Sequence, residues 1–387
     1  MQMRRGFMGL GYCALVVFGL SNGAQAITPE KARNVIDAIL MQSGATAELI
    51  RAKAAPDGAV DLTYDNVSLH LSGYATPRSL ALDGVNVTVR DTDQANQVDL
   101  DIKLPEHGKV LAEATSDQRD LTMRNAGGYI RWDIAQNAPV TVDASADFLI
   151  GDEPITRKHW LINGLVLQWL PEMARVAWQD AEWTGPNREK RGATKAANLT
   201  LYPGENGGTH LDYAHDGLWL PSLIQPRTVR VKSHSDGLPW SEAKPIVEKG
   251  IIDMLTGTAP RVARRQIGDA LWLKAEQNGA PIKVDEFYVQ ARGLEALGSG
   301  EFYAQTAARY GFTGDFDFKL LGQDKLVALL GTPESPTLLG ALVPYAVNGL
   351  ATGRPGPQGT TEYDGELLAD GRLIINGLTL FQTADGR

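Results

Sequence analysis

The alternation of apolar and polar residues over residues 59–149 constrains the fold of this chain more than any other feature. A period of two places successive side chains on opposite faces of a strand. Gly, Pro, Asn and Asp separate the alternating segments. The range therefore predicts antiparallel strands with one buried face. The segments read VDLTYDNVSLHL, LALDGVNVTVRD, VDLDIKL, KVLAEAT and VTVDASADFLI.

Alternation returns in the second half of the chain. Strands are predicted over 174–220, in GEFYAQT and YGFTGDFDFKLLG, and in a last hairpin over 363–376. A further hairpin is predicted around Asn278-Gly279, because Asn-Gly favours the tight turn between two antiparallel strands. The sequence as a whole predicts an α+β protein dominated by strands, in which curved antiparallel sheet forms a half-barrel or groove.

Short helices are predicted to cover part of this sheet. The first begins at Thr28-Pro29, an N-cap followed by proline at the first helical position, and ends at Gly44. The segment 161–173 fits a strand or a helix, and the helical spacing of its apolar residues favours a helix that stops before Pro171. Other helices are predicted at 239–257, 262–270, 325–330 and 338–346.

One short pattern occurs five times: Asp or Asn, then Gly or Asn, then Leu or Val at two alternate positions. It predicts a turn or bulge with positive φ that starts a half-buried strand. The copies are irregularly spaced, so they do not indicate a solenoid, and chance recurrence in a β-rich chain is the alternative. The copies begin at Asp65, Asp83, Asn163, Asp216 and Asn376.

The first 26 residues have the features of an export signal. Arg4 and Arg5 precede an apolar run, residues 7–20, that is too short for a transmembrane helix. An Ala-Gln-Ala triplet at 24–26 matches a small-residue cleavage site. We expect cleavage near Ala26 and a periplasmic mature protein. The paired arginines also resemble a twin-arginine signal, so two export routes stay open.

Composition excludes several classes of function. Cys13 is the only cysteine and lies in the expected signal, so the mature chain would have no disulfide, cysteine-ligated metal or thiol nucleophile. A net charge of -9 argues against nucleic acid, whose phosphates need clustered Lys and Arg. The densest basic stretch, residues 188–195, is predicted to be a solvated loop. No later segment has the length and hydrophobicity of a membrane span.

No motif predicts an enzymatic reaction. The sequence has no nucleophile elbow, phosphate-binding loop or His-Glu-x-x-His zinc motif, so we expect no catalytic residue and no cofactor. The strongest cluster is HLDYAHD at 210–216, where His210 and Asp212 would share a strand face and His215 could return across a turn to bind a metal. The favoured interpretation is that these polar side chains face water, with no metal bound.

Tryptophans concentrate in the middle of the chain, where six of the eight lie between Trp132 and Trp219. Tryptophan lines apolar ligand sites and stacks on sugars, but it also fills hydrophobic cores. Both roles stay open at this stage. The candidate ligand-contacting residues are Trp160, Trp169, Trp178, Trp183 and Trp219.

The order of patterns in the last third resembles a known group of proteins. IKVDEFYVQARGLEALGSGEFYAQ and YGFTGDFDFKLLGQDKLVALLG precede a small-residue helix and GELLADGRLIINGLTL, and the mature chain would start with ITPEKARNVIDAIL. This order resembles an exported bacterial family of unknown function that is distantly similar to AsmA-like envelope proteins. The patterns are structural, so no functional residue transfers. The resemblance implies a role in lipid movement or envelope assembly.

We therefore expect a signal peptide at 1–26, an N-terminal β-rich lobe at 27–225 and a C-terminal α+β lobe at 226–387, or a single continuous domain. The leading functional hypothesis is a non-enzymatic periplasmic envelope protein that holds an apolar ligand, such as a lipid, or assists envelope assembly with a protein partner. The alternative is a carbohydrate-binding or structural envelope module that uses the tryptophan-rich middle region.

Overall fold

The structure is a computed structural model that describes residues 26–71, 78–112, 118–152, 159–185, 189–219, 225–255, 258, 260–330 and 348–381. The helices are α1 Pro29–Ser43, α2 Trp240–Leu255, α3 Pro260–Asn278 and α4 Gln323–Leu330. The first strands are β1 Thr46–Ala54, β2 Val60–Leu71, β3 Arg78–Leu82, β4 Val85–Asp91, β5 Gln97–Lys103, β6 His107–Ala112, β7 Gln118–Arg124, β8 Gly127–Asp133, β9 Ala138–Asp152, β10 His159–Leu170, β11 Met173–Trp178 and β12 Ala181–Thr184. The others are β13 Lys190–Thr194, β14 Ala196–Pro203, β15 Gly208–Asp216, β16 Pro226–Pro239, β17 Pro281–Ala291, β18 Leu294–Ala304, β19 Phe312–Leu321, β20 Arg354–Pro355, β21 Thr361–Leu367, β22 Leu373–Ile375 and β23 Leu378–Phe381.

All of these strands belong to one large, curved, antiparallel sheet, which confirms the β-dominated α+β class. Hydrogen-bonded pairing passes without a break from β15 to β16 and from β16 to β17, across the boundary expected at 225/226. The division into two lobes stays a prediction.

The first helix forms as predicted. The Thr28 hydroxyl accepts a hydrogen bond from the Lys31 backbone N–H at 3.2 Å, and Pro29 occupies the first turn. Gly44 ends the helix in the left-handed region, at φ 66°. Ala32, Val35 and Ile36 of α1 are buried against the apolar face of β2, β4 and β5. We call the sheet face that carries the helices the inner face.

The helix favoured over 161–173 was wrong, because β10 and β11 occupy this segment and Pro171 lies in the tight turn between them. Apolar residues occupy both faces of β10, and this mixture imitates helical spacing. Pairing with β9 on one side and β11 on the other fixes the strand. Among these residues, Leu165, Leu167 and Trp169 point to the inner face beside Ala146, Ala144 and Val142.

The hairpin expected at Asn278-Gly279 was also wrong. The predicted short helix at 262–270 is the central part of the longer α3, which ends at Asn278. Gly279 adopts φ 59°, and the N–H of Ala280 donates to the carbonyl of Ala275 at 2.9 Å. Left-handed glycine with such a backbone bond is a common helix terminus. An Asn-Gly pair therefore ends a helix here.

Two further expectations concern the basic stretch and the last predicted helix. In the basic stretch 188–195, predicted to be a loop, Lys190–Thr194 forms β13, because it pairs with β12 and so satisfies its backbone groups. The helix expected at 338–346 lies outside the described residues.

The recurring Asx pattern marks a line that crosses the sheet, which we call the seam. Along this line the ladder is interrupted in one strand after another, and β2, β9 and β10 each pair with two shorter strands, one on either side of it. The interruption falls between β3 and β4, between β7 and β8, and between β11 and β12. The seam consists of residues 65–66, 83–84, 104–106, 125–126, 146–147, 163–164, 179–180, 195–196 and 216–217.

Side-chain carboxylates replace the missing ladder bonds at the start of the seam. The Asp83 carboxylate accepts from the Asn66 N–H at 2.9 Å, and the Asp65 carboxylate accepts from the Gly84 N–H at 2.7 Å. Asn66 has φ 52° and Gly84 has φ 79°, a region that Asn and Gly tolerate best. The positive φ expected of the Asx pattern is thus confirmed at both positions.

The remaining copies also have positive φ. Gly164 and Gly217 lie on the seam at φ 57° and 61°. The last copy, Asn376-Gly377, forms the turn between β22 and β23, away from the seam. Four of the five copies therefore share one structural role, and the fifth is an ordinary hairpin turn.

Candidate functional site

An apolar trough follows the seam on the inner face, with a volume of about 290 Å³. Strands β5, β8, β9 and β10 form its floor and walls. We call it the seam trough. Its lining residues are Ile102, Leu104, Ala126, Gly127, Gly128, Ile130, Val142, Ala144, Ser145, Ala146, Leu149, Leu165 and Leu167.

The seam trough lies between the two apolar cores of this part of the molecule. One core joins α1 to β2, β4 and β5, and the other joins α2 to β9, β10 and β11. Ile130 packs against both cores, Leu149 against the first, and Ala144 against the second. No helix of the described residues covers the strip of sheet between them.

Small residues make the trough deep. A Cβ atom at Gly127 would come within 2.1 Å of the carbonyl oxygen of Ile102, and one at Gly128 within 2.5 Å of that of Asp143. Neighbouring strands therefore require glycine at both positions. With alanine at 144 and 146, the floor lacks the bulk that usually fills an inner sheet face.

The lining of the seam trough is almost entirely apolar. Ser145 is its only residue with a hydroxyl group, and no lining side chain is titratable. General acid–base or nucleophilic chemistry needs titratable or activated groups within hydrogen-bond reach. Apolar walls with few polar groups instead favour burial of an apolar ligand.

The seam continues from Leu165 to an aromatic cluster on β11 and β15. Trp178 lies beside Ala197, and Ala197 pairs with His215. The rings of Trp178 and His215 meet edge to face at 5.8 Å, and Tyr213 Oη is 2.8 Å from His215 Nδ1. Burial lowers the pKa of His215 and Asp216 opposes this shift, so the imidazole is neutral near pH 7.

Three other concavities of the described residues are more polar. One of about 380 Å³ lies at the start of α1, next to Trp132. Two more, of about 520 and 420 Å³, lie on the opposite face of β18, β19 and β21, where acidic side chains alternate with the inward aromatic rings. Their lining includes Glu301, Asp315, Asp317, Asp364 and Glu366. These surfaces do not suit an apolar ligand.

The five candidate tryptophans do not form one site. Trp169 is 1% exposed and packs against Trp240 of α2, so it is a core residue. Trp219 is 37% exposed and carries Lys190 over its ring. Its bridge to Ala193 places it on the face opposite the trough. None of the five lines the seam trough, and Trp178 lies on β11 next to Ala177, the partner of Val166 on β10.

Trp160 and Trp183 form a separate pair on the inner face, farther from the helices. They are direct cross-strand neighbours on β10 and β12. The Trp160 ring lies against Gly151, and the Trp183 ring lies against Gly192. Each glycine therefore leaves room for one indole ring, which is a recognised form of cross-strand packing.

The candidate metal residues are divided between the two faces of β15. His210 and Asp212 share the outer face, as predicted, where His210 stacks on Tyr202 and His234, and Asp212 accepts from the Tyr202 hydroxyl at 3.3 Å. His215 belongs to the same strand and faces inward, so it does not return across a turn. Over the described residues, no three His, Cys, Asp or Glu side chains are grouped to hold a metal.

Sequence reasoning missed the residues of the seam trough. Its walls are ordinary Leu, Ile and Val, and only the run of small inward residues in VTVDASA gave a signal. This signal can be interpreted only when β9 is known to lie between β8 and β10, because the side chains of all three strands decide whether the space stays empty.

Searches against protein families, curated proteins and solved structures found no match. Within the described residues, no helix is long and apolar enough to cross a membrane. The fold and the site define a β-rich protein with an apolar trough on a curved antiparallel sheet.

Proposed function

We propose that this protein is a non-enzymatic, periplasmic envelope protein that holds an apolar ligand, in particular a lipid chain, in the seam trough. The observation that carries this proposal is an uncovered strip of apolar lining between two helix-covered cores. An apolar strip gains free energy when it leaves water, by about 25 cal/mol per Å² of apolar surface buried. The export signal predicted from the sequence and the AsmA-like resemblance are what support the envelope location.

The size of the trough limits the ligand. Its volume of about 290 Å³ is near the lower end of the range of about 300–1,000 Å³ found for small-molecule pockets. A single acyl chain suits this volume better than a bulky sterol or a complete diacyl lipid. A second chain, if present, would lie outside the enclosed part.

A binding assay with a neutral apolar dye tests this function. N-phenyl-1-naphthylamine fluoresces strongly in apolar surroundings, and we expect saturable binding to the wild-type protein. Leu167→Lys places a charge in the trough and should abolish binding. Gln168→Lys adds the same charge at the next position, on the opposite face beside Asp143, and should leave binding unchanged. Equal binding of the dye by both variants would show that the dye does not bind in the seam trough.

Binding of carbohydrate is the second candidate function. The pair Trp160 and Trp183, each resting on a glycine, offers two indole rings on one face of the sheet. Indole faces stack on sugar rings, as the alternative hypothesis requires. Loss of polysaccharide binding in Trp160→Ala and Trp183→Ala, with dye binding intact, would support this function and separate it from the seam trough.

A further inference from the structure

The indole rings of Trp160 and Trp183 lie with one face against the sheet. A Cβ atom at Gly151 would be nearer to Cε2 of Trp160, a carbon shared by the two rings of the indole, than to Nε1 or Cζ2 beside it. Such a point lies above the plane of the ring, because an approach from the edge meets the outer atoms first. A Cβ atom at Gly192 would likewise lie against Cζ2 and Cε2 of Trp183.

The other face of each indole points away from the sheet, on the side that carries the helices. Trp160 and Trp183 are both half-buried, so each ring keeps surface that is accessible to solvent, unlike the core residue Trp169. The two residues are direct cross-strand neighbours. The Cβ atoms of such neighbours are about 4.5–5.5 Å apart. The pair therefore offers two adjacent ring faces to one bound molecule.

This tryptophan pair adjoins the seam trough along β10. Ile162 is the cross-strand partner of Leu149, which lines the trough, and both side chains are half-buried. Trp160 follows on the same face of β10, two residues and about 7 Å beyond Ile162. Ala181 lies beside Ile162 on β12 and adds a small apolar side chain. Apolar surface therefore continues from the seam trough to the indole rings.

We propose that the ligand of the seam trough is a single-chain glycolipid, whose sugar head stacks on Trp160 and Trp183. This inference rests on the proposed function, because the acyl chain of the glycolipid occupies the seam trough. An indole face offers a large, flat apolar area against which the C–H groups of a sugar ring pack, and its N–H can bond a hydroxyl group. The chain lies over β8 and β9, and the head lies over β10 and β12.

Displacement of the bound dye by two uncharged amphiphiles with the same dodecyl tail tests the head group. Dodecyl maltoside carries a disaccharide, and octaethylene glycol monododecyl ether carries a flexible chain without a sugar ring. Both are used below the concentrations at which they form micelles. We expect dodecyl maltoside to displace the dye at a concentration about tenfold lower. Equal displacement by the two would overturn the sugar head and leave the trough intact, whereas failure of the dye itself to bind would overturn the proposed function.

Variants locate the sugar head. Trp160→Leu and Trp183→Leu each remove an indole face and keep an apolar side chain, so each should lose most of the preference for dodecyl maltoside. Trp160→Tyr keeps an aromatic face and should retain part of the preference. The preference is a ratio of two displacing concentrations measured on the same variant, so a changed affinity for the dye does not alter it.

Trp219→Leu is the matched control, because Trp219 is 37% exposed on the face opposite the trough. It should retain the whole preference for dodecyl maltoside. A preference that survives in both Trp160→Leu and Trp183→Leu would overturn the proposed position of the sugar. An equal loss of preference in Trp219→Leu would also overturn it, since the loss would then not come from stacking on the tryptophan pair.

Discussion

At the scale of single residues, two copies of the short Asx pattern act through their carboxylates. Asp65 and Asp83 each accept from a backbone N–H of the neighbouring strand where the ladder is broken. Asp147, also on the seam, instead accepts from a side-chain amide, Asn125 Nδ2, at 2.7 Å. The sequence predicted turns with positive φ, but the alignment of separate turns into a seam depends on strand register, which no local pattern encodes.

The first prediction concerns these carboxylates. Asp83→Ala leaves the exposed Asn66 N–H to water and should lower the free energy of unfolding by about 0.5–1.5 kcal/mol. The measurement is the urea midpoint of unfolding. Asp101→Ala is the control, since Asp101 on β5 makes no side-chain hydrogen bond among the described residues. An equally large loss of unfolding free energy in Asp101→Ala would contradict the role of the seam carboxylates.

The second prediction concerns pH and the outer face of β5 and β8. Burial of Asp99 raises its pKa, but hydrogen bonds from Arg131 and Tyr129 outweigh this effect, so the pKa lies below its usual value. A carboxyl with a lowered folded-state pKa stabilises the protein above its unfolded pKa, about 3.9. This stability is lost as the pH falls through the lower folded pKa.

Unfolding by urea at several pH values below about 5 measures this effect, because the titration begins near the unfolded pKa. Asp99→Asn should be less stable than wild type at pH 7 and should lose less stability on acidification. If the free energy of unfolding changed with pH identically in wild type and Asp99→Asn, Asp99 would not contribute to the acid sensitivity of the protein.

At the scale of elements, helix α2 closes one end of the seam trough. Trp240 at its start donates from Nε1 to the Pro171 carbonyl at 3.2 Å and packs against Trp169. The ring thereby joins the helix to the turn between β10 and β11. The sequence predicted α2, but not this contact, because Trp169 and Trp240 are far apart in the chain and share no pattern.

The third prediction concerns this contact. Trp240→Ala should reduce the free energy of unfolding by about 3–5 kcal/mol, as expected when a buried tryptophan is removed. Trp240→Phe keeps an aromatic ring and loses only the hydrogen bond and part of the volume, so its loss should be smaller. Calorimetric unfolding compares the two variants. Equal losses would show that packing against Trp169 does not hold α2.

Local sequence patterns predicted strands and helices best where one face of the element is buried and the other is exposed to solvent. The segments in 59–149 became strands, and α1 has the expected cap and end. They failed in 161–173, where apolar residues occupy both faces of β10, and at Asn278-Gly279, where the same residue pair ends a helix. Strand pairing decides the first case, and the backbone bond from Ala280 to Ala275 at the end of α3 decides the second.

At the scale of the whole molecule, one sheet supports three apolar cores in its described part, and an open apolar strip lies between the first two. A closed core would fill this strip with large side chains, whereas Gly127, Gly128, Ala144 and Ala146 leave it empty. Curvature and pairing bring these residues together from two strands. Candidate residues chosen for their type, such as the tryptophans, therefore missed the lining.

The fourth prediction concerns stability of the whole protein in the presence of ligand. A ligand that binds only the folded state stabilises it by about 2.7 kcal/mol at a free concentration 100-fold above its Kd. Laurate should therefore raise the Tm of the wild-type protein and of Gln168→Lys. Leu167→Lys should show no such rise. A rise of the same size in Leu167→Lys would point to binding away from the trough.

Native mass spectrometry of the protein purified from the cells that produce it, with extraction and identification of any bound molecule, tests the central claim most directly. We expect one acyl-chain amphiphile per protein molecule, absent from Leu167→Lys and present in Gln168→Lys. A mass equal to that of the polypeptide alone, with no uptake of added fatty acid or phospholipid, would contradict the account.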